Sequence, residues 1–122
     1  MGPIETAIRN TCAEGSRLST PSGRGEFSIA QIDAHGIVLL LGVKEARTSL
    51  SWSCIEGVRP FLAGRSWVPI GSRYETVADR RTLDGYLKGC IKRATAGWVA
   101  ALLERAGIIE IDRQPPARVR LR

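Results

Sequence analysis

The chain has 122 residues, 43% of them hydrophobic and 25% charged, enough for one packed core without a metal or disulfide framework. Its net charge of +6 argues for an anionic partner, and the absence of any run near the roughly 18 apolar residues of a membrane span argues against a membrane one. Cys12, Cys54 and Cys90 are odd in number and far apart, without a Cys-x-x-Cys pair, so the spacing writes neither a disulfide framework nor a zinc site.

In chain order, Pro3 suits a first helical position, and Ile4, Ala7, Ile8 and Cys12 recur at helical spacing until Gly15. The stretch GSRLSTPSGRG reads as a loop, and it lacks the lysine of a Walker phosphate loop. EFSIAQID and GIVLLLGV are strand-like runs joined by a hairpin turn at DAHG. The second run is apolar on both faces and reads as a central strand. ARTSLSW offers a third strand, after which Ser51 caps a helix whose inner face is Trp52, Ile55, Val58 and Leu62, with Pro60 interrupting it. RSWVPIG reads as a short edge strand, because Pro69 is unsuited to a central one.

From Thr82 the pattern is clearest. Thr82 caps a helix, Asp84 sits at its positive end, and Leu83, Leu87, Cys90, Ile91 and Ala94 form its buried stripe. After KRAT a second helix turns Val99, Leu102, Leu103 and Ala106 inward, with Trp98 at the margin, and Gly107 closes it. IIEIDR and ARVRLR then flank QPP as a strand, a turn and a strand. Pairing them puts Asp112 opposite Arg118 and Glu110 opposite Arg120 on one face, and Ile111 opposite Val119 and Ile109 opposite Leu121 on the other.

Helix, turn, helix and hairpin is the order of a winged helix-turn-helix. The stretch from Leu83 to Leu121, with Leu103, Glu104, Gly107 and Ile108 leading into the hairpin, resembles the winged-helix region of bacterial transcription regulators of the multiple-antibiotic-resistance type. The resemblance implies a second helix laid in the major groove and a wing near the phosphates or the minor groove. It covers about the last third of the chain. The expected fold is α+β: an N-terminal helix and small antiparallel sheet packed with a C-terminal winged helix-turn-helix, in a single domain over 1–122 with subregions 1–80 and 81–122.

Charge follows the same division, since from Gly85 onward there are eight basic and three acidic residues. The candidate DNA contacts are Lys88, Lys92, Arg93, Thr95, Arg105, Arg113, Arg118, Arg120 and Arg122. Lys92, Arg93 and Thr95 surround the start of the second helix, where amides and dipole favour a phosphate, while Asp84 can pair with Lys88. Glu110 and Asp112 can neutralise Arg120 and Arg118; Arg113 and Arg122 have no evident acid. The second helix presents mainly Thr95, Gly97, Ala101, Glu104 and Arg105, without Asn, Gln or Lys, so base reading by it is expected to be poor. Trp67 and Tyr74 are the candidates for stacking on a base, including a modified one, whereas Trp52 and Trp98 read as core.

His35, the sole histidine, lies in a turn without a legible catalytic arrangement, and no metal-ligand spacing occurs, so neither an enzyme nor a cofactor is expected. The expected function is duplex DNA binding in the cytoplasm, with homodimerisation or fusion to a catalytic domain of a DNA-processing, restriction or regulatory protein compatible with it. The alternative is a protein-interaction winged helix whose arginines are neutralised by Glu104, Glu110 and Asp112.

Overall fold

A computed structural model describes residues 2–71, 81–91 and 95–122. Helix α1 (Pro3–Thr11) carries Pro3 in its first turn. Its free amides at Ile4 and Glu5 donate to the Glu56 carboxylate at 3.1 and 2.7 Å, a cap supplied from more than fifty residues away. Ile4 and Ile8 point into the core.

Four strands follow: β1 (Arg17–Ser19), β2 (Glu26–Ile32), β3 (Gly36–Leu41) and β4 (Ala46–Ser51), in an antiparallel sheet of order β1-β2-β3-β4. The apolar run 37–41 is an inner strand, as its lack of alternation implied. The turn before β3 is fixed by the Asp33 carboxylate, which accepts from the His35 and Gly36 amides at 2.8 and 3.1 Å. Those two amides hold the Asp33 carboxyl below the usual carboxylate range. Gly36 is required there for space, because a Cβ would sit on the Leu50 carbonyl of the neighbouring strand. Strand β1 corrects the expectation of a loop over residues 15–25. Arg17, Leu18 and Ser19 pair with Ser28, Phe27 and Glu26, so the open edge of β2 recruits a segment whose own composition favours a turn.

Ser51 caps helix α2 (Trp52–Glu56), its hydroxyl accepting from the Cys54 amide at 3.2 Å, and α3 (Val58–Leu62) follows after Gly57. Pro60, in the middle of α3, has no N–H to offer the Glu56 carbonyl four residues back, and the interruption between the two helices falls at Gly57. Strand β5 (Val68–Pro69) lies at a sheet edge, as Pro69 demands.

Thr82 caps α4 (Leu83–Lys88), accepting from the Gly85 amide at 3.0 Å. This helix ends at Lys88 with Gly89 as its C-cap, before Cys90 and Ile91 of the expected stripe; Ala94 lies outside the described residues. Cys90 is therefore exposed rather than buried, and it forms a disulfide with Cys54 across a Cα separation of 6.0 Å. The bridge corrects the reading of unpaired cysteines: the end of α4 meets α2 in space, and sequence spacing carries no record of that approach.

Helix α5 (Ala96–Arg105) precedes β6 (Ile109–Asp112) and β7 (Arg118–Leu121). The second sheet has the order β5-β7-β6, and the register of β6 on β7 is the expected one, Ile109 with Leu121 through Asp112 with Arg118. Apolar side chains from both sheets and all five helices join one cluster, in which Leu39, Ile55, Leu87, Leu102, Leu103 and Val119 are at most 1% exposed. Of α5, Ala96, Val99, Ala100, Ala101, Leu102 and Leu103 are all buried, because α1, α4 and β1 pack on this helix as well as β6. A fragment starting near residue 77 would strip that cover. It is expected to lack a cooperative thermal transition, and a folded monomer by NMR would contradict the packing described here.

No helix among the described residues is long and apolar enough to cross a membrane.

Candidate nucleic-acid interface

The β6–β7 hairpin is where sequence and structure agree most closely. On its polar face Arg118 Nη2 donates to Asp112 Oδ2 at 2.6 Å, and Arg120 Nε donates to Glu110 Oε2 at 3.0 Å. Trp67, just ahead of β5, lies under both arginines: the Arg120 guanidinium carbon is 4.4 Å from its ring centroid and that of Arg118 is 5.5 Å away. Cation–π attraction and ion pairing thus hold the two guanidinium groups in a layer over the indole. Trp67 is half-buried beneath them, so a base stacking on that ring would first have to displace an arginine.

Arg113, for which the sequence showed no acid, makes a two-point contact with Glu104 near the end of α5, at 2.7 and 2.6 Å. Glu104 accordingly raises the Arg113 pKa, chiefly through that hydrogen bond. All three acids beyond Gly85 therefore each take one arginine. Exposed pairs of this kind contribute about 0–1 kcal/mol, so a phosphate could replace the acid at small cost.

The remaining candidates divide. Lys88 pairs with the nearly inaccessible Asp84 at 2.8 Å and is itself largely covered. Thr95 is 1% exposed, its hydroxyl buried without a partner among the described residues, and it does not cap α5. It is not on the surface where a phosphate could meet it. Ala101, expected on the outer face of the helix, is 6% exposed under β1. Arg105 and Arg122 are exposed and make no ion pair among the described residues, as do Arg24, Lys44 and Arg59 outside the last third. Tyr74, Lys92 and Arg93 lie outside the described residues. Arg24 was not singled out from the sequence, although its place in the turn SGRG marked it as exposed; it lines a cleft with Trp98 and Gly97 of α5. His35 is exposed, and no cluster of three metal-ligating side chains occurs among the described residues.

The Asp112 carboxyl is held below the usual carboxylate range, first by Arg118 and then by the Gln114 amide. A depressed folded pKa means that this contact stabilises the fold above the unfolded pKa, and that its contribution is lost as pH falls through the folded value. In an NMR titration the Asp112 side-chain carbon should have a midpoint below that of an unpaired aspartate, and Arg118→Ala should move it upward. An unmoved midpoint would show that the pair does not form in solution.

Comparison with protein-family models, curated proteins and solved structures finds no match for this chain.

Proposed function

We propose that the chain is a winged helix-turn-helix module that binds duplex DNA through backbone phosphates, with the wing as its contact. The observation that carries this reading is the β6–β7 hairpin, which sets Arg118 and Arg120 side by side on one strand, with exposed Arg122 following, and which comes after helices α4 and α5 in the chain. The burial of α5 narrows the reading: with Ala101 and Thr95 covered, only Gly97, Trp98, Glu104 and Arg105 of this helix reach the surface, and binding of low sequence preference is the consequence. Such a module suits the targeting part of a DNA-processing, restriction or regulatory protein.

A protein-docking module is the second reading, favoured by the three ion pairs that neutralise Arg113, Arg118 and Arg120. Substitution separates the two. Under the DNA reading Arg118→Ala and Arg122→Ala each weaken binding to all duplexes about equally and lower the salt slope by about 1. Glu110→Gln releases Arg120 without deleting it, and should strengthen binding. Equal, salt-independent affinity across the wild type and these variants, measured by fluorescence anisotropy, would remove the wing from any DNA interface.

A further inference from the structure

We propose that Cys54 and Cys90 form a reversible dithiol–disulfide switch that holds the end of α4 against α2. The two sulfurs sit in unlike surroundings. Cys54 belongs to α2 and is 6% exposed within the apolar cluster, whereas Cys90 lies just beyond the end of α4 and is exposed to solvent. The bridge joins segments 36 residues apart in sequence.

Its neighbourhood divides what reduction would loosen from what it would leave. Tyr86 of α4 donates its hydroxyl to the Cys54 carbonyl at 2.7 Å and stacks on Phe61 of α3, with ring centroids 5.0 Å apart. Leu83 and Leu87 are fully buried. These contacts keep the body of α4 in place without the bridge. Just beyond Gly89 the described residues are held by the Cys90 and Ile91 amides, which both donate to the Leu87 carbonyl at 2.9 Å, by the half-buried Ile91 side chain packed on the apolar cluster, and by the bridge itself. The fold does not depend on the bridge for its core, since a Cys54 thiol remains a small apolar group among Ile55, Val58 and Leu62. Two folded states that differ at one junction are what a switch requires.

The chemistry is exchange with a dithiol reductant. One reductant thiolate attacks the Cys90 sulfur, on the exposed side, forming a mixed disulfide and expelling the Cys54 thiolate, which takes up a proton. The second reductant thiol then attacks its own sulfur in the mixed disulfide, expelling the Cys90 thiolate and closing the reductant's disulfide. Two electrons and two protons pass to the protein. A small-molecule disulfide such as oxidised glutathione drives the reverse by the same exchange.

Any consequence for duplex affinity rests on the function proposed above, so the test is read without DNA. The full chain is exposed to oxidised glutathione and then, while native, to dithiothreitol. Counting thiols after denaturation should give one before reduction, from Cys12, and three after it. Hydrogen exchange should quicken at least tenfold at Cys90 and Ile91 on reduction, with Leu102 and Leu103 unchanged. The melting temperature should fall on the order of 10 °C. Cys90→Ser, at an exposed position, should reproduce the reduced exchange pattern and ignore dithiothreitol. Three thiols after oxidised glutathione, a bridge that yields only when the chain is unfolded, or identical exchange at Cys90 and Ile91 in both states would each overturn the switch. Loss of duplex binding in both states, with the thiol and exchange changes intact, would overturn the DNA reading alone.

Discussion

A threefold rise in salt, from about 50 to about 150 mM, should weaken duplex binding roughly 20- to 150-fold. The range follows from about three to five phosphate contacts, each releasing about 0.9 of a counterion. Arg122 and Arg105 are exposed and pair with no acid among the described residues. Arg118 and Arg120 reach the count only by exchanging Asp112 and Glu110 for phosphate, which exposed pairs permit at a cost of about 0–1 kcal/mol each. A slope at the low end would mean that the acids keep their arginines. A flat response at low salt, with light scattering showing a larger particle, would sink the DNA reading and favour protein docking.

Leu102→Ala should cost about 2–5 kcal/mol, lowering the melting temperature by roughly 8–20 °C for a chain of this length. Leu102 is fully buried, in a helix packed against β6 on one side and against α1 and β1 on another. Truncation leaves a cavity that neither side can close alone. Probes in the two sheets, such as the amides of Leu39 and Val119, should therefore lose protection in one transition. A cost below about 1 kcal/mol would show that α5 is not enclosed.

Local pattern made much of this fold legible. The β2 and β3 runs, the Ser51 and Thr82 caps and the hairpin register all follow from residue choice at short range, and each stands where the pattern put it. What stayed hidden depends on approach between distant segments. Strand β1 exists because β2 offers it an edge, the Glu56 cap on α1 spans more than fifty residues, and the Glu104–Arg113 pair needs α5 and the hairpin in place. The candidate site was legible in the same unequal way. Arg118 and Arg120 stand in register with their acids, but Thr95 and Ala101 are lost from the face that a helical wheel displayed, because periodicity finds one buried stripe and is silent about further partners packed on the helix.

The pairing of Val68 with Val119 ties positions about fifty residues apart, whereas β2, β3 and β4 are joined by short turns. During synthesis the first sheet is complete once Ser51 has emerged, but Val99, Leu102 and Leu103, which finish the apolar cluster around Ile37 and Leu39, are added only with α5. At about 5–20 residues per second the interval to Arg105 is roughly 3–10 s. Throughout it the apolar side chains of the first sheet lack the α5 residues that complete their cluster, and the nascent chain is most open to association with its neighbours on the same message.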